Sequence, residues 1–170
     1  MDPCSGLTRE KGVYVLVFVL QEGYRGLVGR RLEARLGPGA YAYVGSAWGP
    51  GGLRARLCRH LYGRRGRMHW HIDYLAAAPG YRALGAVAVL APRGAEAFLA
   101  AAGYSSRLFE PVEPRLGGTD DPYGLGHLFR CLAGDCLVAA AGLASSVPGA
   151  IVVYMVDGRA KRVTHNQPRG

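Results

Sequence analysis

The longest early apolar run of the chain is "GVYVLVFVL" at positions 12–20, rich in valine and free of charge. It does not alternate, which is the pattern of a strand covered on both faces, and it predicts a buried strand over 13–20. A second run, "AYAYVG", predicts another strand over 40–46 that ends at Gly45. Between them, Glu22-Gly23, Gly26 and Gly37-Pro38-Gly39 carry turn chemistry around a short strand near Leu27–Leu32. Pro50-Gly51-Gly52 then breaks the chain. Leu53, Leu57 and Leu61 recur at i, i+4 and i+8, the core stripe of a helix over 53–62, with Gly63 as its stop. "HWHIDYL" (69–75) continues as a short helix or an extended segment, and "LGAVAVL" (84–90) suits a central strand. The alanine-rich stretch 92–103 reads as a helix closing at Gly103. Residues 105–126 are loop-rich and 127–132 form a short apolar element. A helix and turn follow at 137–150, then a hairpin over 151–163 around Asp157-Gly158 and a frayed tail from 164.

The 170 residues, 49% of them hydrophobic, are enough for one domain with a real core. We read 1–135 as the compact unit and 136–170 as an extension packed on it. No apolar run reaches the roughly 18–20 residues that span a bilayer, so no membrane partner is expected. The opening "MDPCSGLTREKG" lacks the basic and apolar regions of a signal peptide, which favours an intracellular, cytoplasmic or nucleoid-associated placement. Cys4, Cys58, Cys131 and Cys136 contain no CxxC pair and read as small buried hydrophobes. Lesser alternatives are a Cys131–Cys136 bridge and a zinc site through His127, Cys131 and Cys136.

Charge changes the picture. The net charge is +9 and the pI about 9.8, which calls for a polyanionic partner. No acidic residue lies between Glu33 and Asp73, whereas Arg35, Arg54, Arg56, Arg59, Arg64, Arg65 and Arg67 all do. Only Lys11 and Lys161 are lysines, so 19 of the 21 basic residues are arginine, the side chain that forks onto phosphate. Arg54, Arg59, Arg64, Arg65 and Arg67 are therefore candidate phosphate contacts, which supply affinity and register rather than sequence readout.

The candidate chemistry comes from residues that the predicted elements would gather. Adjacent antiparallel strands would set Tyr14 near Tyr43, and a helix packed on the same sheet would bring Arg56 and His60, an i, i+4 pair. Glu96 opens a later helix. Hydrolysis of a phosphodiester needs a proton acceptor for water, positive charge on the phosphoryl oxygens and help for the departing alkoxide. Two tyrosines, an arginine, a histidine and a carboxylate holding a divalent cation could meet those needs. Taken singly, each also has an ordinary role: core tyrosines, a surface arginine, a half-buried histidine, a glutamate favoured by a helix dipole.

Taken together, Gly12-Val13-Tyr14, Tyr43-Val44-Gly45, Arg56-x3-His60 and Glu96 resemble the GIY-YIG nuclease pattern. The wording "GAYAYVGSAWGPGGLRARLCRHL", "HWHIDYL" and "HLF" (127–129) is similar to its Uri-type branch, long filed as a domain of unknown function. The resemblance covers about residues 11–130. It implies an α+β fold with a small three-stranded antiparallel core sheet flanked by helices, and metal-dependent DNA cleavage. It also implies roles: Tyr14 as general base, Tyr43 orienting water or phosphate, and Arg56 stabilising the transition state. Glu96 would bind one Mg²⁺ or Mn²⁺, and His60 would contact substrate or tune the tyrosine.

Gly45, Ser46, His69, His71, Asp73 and His127 are candidates for a supporting shell, and Asp120 with His127 for a hydrogen-bonded pair at the site edge. The gap between the tyrosines is longer than is usual in that family, which implies an insertion or extra strand at 21–39. Cysteines expected after the glutamate and near "HLF" are replaced by Ala97, Asp121 and Tyr123. The functional expectation is a DNA endonuclease of repair or structure-selective type, since relatives of that branch are joined to base-excision enzymes. The alternatives are a non-catalytic DNA-binding module on the same fold and an RNA-directed nuclease.

Overall fold

Strand β1 (Gly12–Leu20) runs through the middle of a wholly antiparallel sheet in a computed structural model that describes residues 2–63, 66–117, 121–156 and 161–162. Its neighbours are β4 (Gly39–Ala47) and β5 (Tyr81–Leu90). Beyond β4 lie β7 (Leu128–Cys131) and β6 (Phe109–Pro111); beyond β5 lie β8 (Ala150–Met155) and β9 (Lys161–Arg162). The order is β6-β7-β4-β1-β5-β8-β9, seven strands. The valine-rich run has no alternation because both faces of β1 are covered. Tyr14, Leu16, Phe18 and Leu20 pack with helices α1 (Gly52–Tyr62) and α2 (His71–Ala76). Val13, Val15 and Val17 pack with α3 (Ala95–Ser105) and α4 (Cys136–Ala144) on the opposite face.

Several expectations change. The sheet is more than twice the width of the three-stranded core that the resemblance implies, because β8 pairs with β5 from Gly85↔Met155 to Leu90↔Ala150 and β6–β7 extend the other edge. The expected insertion at 21–39 is a separate two-stranded hairpin, β2 (Tyr24–Val28) and β3 (Leu32–Leu36), so the strand placed at Leu27–Leu32 is in fact a strand end, a turn and a strand start. The period-2 alternation of Leu32, Ala34 and Leu36 (buried) with Glu33 and Arg35 (exposed) makes β3 a half-buried strand. Asp157-Gly158 lies outside the described residues, although the flanking strands pair as a hairpin would. No helix among the described residues is long and apolar enough to cross a membrane.

The cysteines are not free hydrophobes: they form two disulfides, Cys4–Cys58 and Cys131–Cys136. Both zinc ligation by Cys131 and Cys136 and four free thiols are thereby corrected. The first bridge ties the N-terminal segment to α1, and its Cα atoms are 5.5 Å apart. Glu10 and Thr8 carbonyls reinforce it by accepting from the Leu53 and Arg54 amides at the start of that helix. A link spanning 54 residues removes much chain entropy from the unfolded state, about 2–4 kcal/mol by typical measurements. Reductant should therefore lower the urea midpoint, and Cys4→Ala with Cys58→Ala should reproduce most of the loss. Equal midpoints with and without reductant would contradict this.

Candidate functional site

The register of β1 on β4 opposes Tyr14 to Gly45 and Leu16 to Tyr43, so both tyrosines point to the α1 face as diagonal neighbours. Gly45 is needed there: an added Cβ would lie 2.5 Å from Cζ and Oη of Tyr14, whose ring occupies that space. Tyr14 is 1% and Tyr43 6% exposed. Burial pushes both phenols above their ordinary pKa, while the Arg56 charge works in the opposite direction on each.

Helix α1 supplies the next layer. The Arg56 guanidinium acts electrostatically on Tyr14 and lies over Trp70, 3.4 Å from the ring centroid. One turn on, His60 is buried behind Tyr14, with Nε2 3.3 Å from Tyr14 Oη. It does not line the open cleft and borders it only through Tyr14, the placement of a residue that tunes the tyrosine. Behind it, Nδ1 lies 3.9 Å from Oδ1 of Asp73, which is closed to solvent. Asp73 accepts from Arg59 Nε and a terminal Arg59 nitrogen at 2.9 Å each, and from the amides of His69 (2.8 Å) and Trp70 (3.0 Å). Burial alone would raise its pKa, but these bonds outweigh it and hold the carboxyl below its usual value.

Across the cleft, Glu96 stands in the first turn of α3, 3.0 Å from His127 Nδ1. His127 Nε2 is 2.9 Å from Asp121 Oδ2, and Asp121 Oδ1 accepts from the Tyr123 and Leu125 amides. Burial would lower the His127 pKa, but the two carboxylates more than offset it and raise it. The edge pair anticipated as Asp120 with His127 is made by Asp121, and Asp120 lies outside the described residues.

These groups converge on a cleft of about 610 Å³, lined by Tyr14, Tyr43, Arg56 and Glu96 together with Gly45, Ser46, His69, His71 and His127. His71 Nδ1 accepts from the Gly117 amide at 3.1 Å, and burial lowers its pKa. Gly117 itself presses on Tyr43, since an added Cβ would fall 2.9 Å from the ring. Asp121 accepts two amide bonds, pairs with His127 and has a side chain 0% exposed, whereas the Glu96 side chain is 29% exposed. Glu96 is thus the carboxylate available to a cation. One carboxylate suits Mg²⁺, which keeps several waters and takes oxygens from a bound phosphate.

The phosphate-contact candidates divide. Arg59 is taken up by Asp73 and the Arg67 carbonyl, so it is a structural arginine and not an open phosphate contact. Arg54 pairs with Asp2 at 2.8 Å beside the Cys4–Cys58 bridge, away from the cleft. Arg67 is exposed, and Arg64 and Arg65 lie outside the described residues. Trp70, Trp48 and Arg93 line the cleft without having been singled out from sequence. Arg93 sits 5.6 Å from the Trp48 ring centroid. "HWHIDYL" contains the Trp70 signal, but stacking on Arg56 is a tertiary contact that spacing does not reveal.

The His127 cluster has a pH signature. A histidine whose folded pKa is raised stabilises fully below its ordinary 6.5 and loses that contribution as pH rises through the folded value. Asp121, held below its ordinary 3.8, contributes above that pH and loses it as pH falls through the depressed value. The stability difference between wild type and His127→Gln should therefore be largest between about pH 4 and 6.5 and shrink above. Urea unfolding across pH checks this; a difference that grows with alkalinity would contradict it.

Two comparisons, with curated proteins and with solved structures, give no match. The family comparison does: residues 13–145 match the family described as domain of unknown function DUF123. The matched span runs from β1 through α4 and takes in the whole cleft. The chain belongs to that DUF123 family.

Proposed function

We propose that the protein is a metal-dependent endonuclease of the GIY-YIG type, hydrolysing DNA phosphodiester bonds. The observation that carries this reading is the meeting of Tyr14, Tyr43, Arg56 and Glu96, from four different elements, at one open cleft. The charge of +9, with exposed Arg93 lining the cleft, supplies a field for a polyanion.

The acid–base chemistry follows from burial. A phenol whose pKa is raised stays protonated at neutral pH and cannot wait as a free phenolate. Tyr14 can still act as base by relay: its oxygen takes a proton from the attacking water while its own proton passes to His60 Nε2. Asp73, 3.9 Å from the other ring nitrogen, stabilises the resulting imidazolium. Arg56, held over Trp70, favours negative charge on the Tyr14 oxygen and offers N–H groups to the phosphoryl oxygens. Tyr43 donates to water or phosphate beside it. Glu96 would hold a Mg²⁺ or Mn²⁺ ion, whose charge would favour departure of the leaving oxygen.

The test is cleavage of a labelled panel of single-stranded, duplex, flap, nicked and abasic DNA, with matched RNA, in Mg²⁺, Mn²⁺ or EDTA. Glu96→Ala and Arg56→Ala should each lose at least about 10²-fold in rate while retaining DNA binding. Cutting that survives EDTA, or that both variants retain, would refute the assignment. Salt-sensitive binding without cutting would favour a DNA-binding module, and cutting confined to RNA an RNA-directed nuclease.

A further inference from the structure

The β2–β3 hairpin, inserted between the two tyrosine-bearing strands, has a feature that local physics disfavours. Arg25 and Arg35 stand directly opposite each other in register, and both are exposed. Like charges at opposed positions of an antiparallel pair destabilise it. Among the described residues, neither guanidinium has an ion-pair partner. The turn between the strands adds exposed Arg30 and Arg31. An anion lying between Arg25 and Arg35 would turn this repulsion into a clamp.

The hairpin and α2 enclose a groove of about 700 Å³, lined by both arginines together with Tyr24, Tyr74 and Met68, with Glu22 as its one acidic residue. The groove and the cleft described above lie along the same segment, from Met68 into α2. Met68 lines the groove and its neighbour His69 the cleft; Tyr74 lines the groove and His71, three residues earlier on α2, the cleft. The hairpin turn itself reaches the cleft wall, since a Cβ on Gly29 would lie 3.4 Å from the His71 ring. Paired arginines beside two tyrosine rings are the chemistry that holds a nucleic-acid strand, with phosphate on the guanidinium groups and bases against aromatic faces.

We propose that the β2–β3 hairpin and α2 form a second DNA subsite, in which Arg25 and Arg35 grip a backbone phosphate of the strand leaving the cleft. Tyr24 and Tyr74 support the adjoining bases. The proposal rests on the nuclease reading for its ligand but is read by binding rather than by cutting.

Arg35→Glu separates a binding role from a structural one, because it creates an opposite-charge cross-strand pair with Arg25. Its melting temperature should rise while its affinity for a labelled DNA strand, measured by anisotropy in EDTA, falls on the order of tenfold at 0.1 M salt. Arg35→Ala should reduce the salt slope of binding by about 1. Arg107→Glu, an equal charge change after α3 on the opposite face of the sheet, should leave affinity within about twofold. Unchanged affinity in Arg35→Glu, an equal loss in Arg107→Glu, or a loss accompanied by a lower melting temperature would overturn the subsite. A wild type that binds DNA without cutting it would sink the catalytic reading alone, with the Arg35→Glu result still deciding the subsite. A wild type that binds no DNA would overturn both.

Discussion

Asp73 accepts four hydrogen bonds in a place closed to solvent, two from Arg59 on α1 and two from the amides that open α2. That carboxylate joins the two helices on one face of the sheet and sets where Trp70 lies. Trp70 in turn carries Arg56, and the same carboxylate stands behind His60. A buried ion pair of this kind brings little net stability, because desolvation offsets the attraction, yet removing one partner strands the other at a cost of about 3–5 kcal/mol. Its contribution is geometric. It holds the wall of the cleft at a fixed distance from Tyr14.

The sheet provides the opposite constraint. Tyr14 and Tyr43 share a face because their strands are neighbours in antiparallel register, and Gly45 leaves the space that the Tyr14 ring fills. Fixed on a seven-stranded sheet and buried, the phenols have little freedom, so their positions are set before any ligand arrives. The cost is burial, which keeps both protonated, and it leaves the Tyr14 hydroxyl 3.3 Å from the buried His60.

Much of this was legible from the chain alone. The charge-free valine run of β1, the Leu53-Leu57-Leu61 stripe of α1 and the apolar run through Tyr43-Val44-Gly45 are local signals, and those elements lie where the signals put them. The β2–β3 hairpin differs from the one strand expected near Leu27–Leu32 because Gly23 and Gly26 suggest turns, and only the alternation from Leu32 to Leu36 marks the second strand. The disulfide between Cys4 and Cys58 spans 54 residues, a pairing that spacing cannot specify. The same limit applies at the site. Motif positions named Tyr14, Tyr43, Arg56 and Glu96, but charge alone could not tell the occupied Arg59 from the cleft-facing Arg93, since that distinction depends on where Asp73 lies.

In the proposed mechanism Tyr14 handles a proton in phosphodiester hydrolysis. The most direct test is the single-turnover cleavage rate of Tyr14→Phe, with the dissociation constant for the same DNA measured beside it. Phenylalanine keeps the ring that packs against Gly45 and removes only the hydroxyl between Arg56 and His60. The expected result is a rate at least about 10²-fold lower with an unchanged dissociation constant. A Tyr14→Phe protein that cuts at the wild-type rate would contradict it.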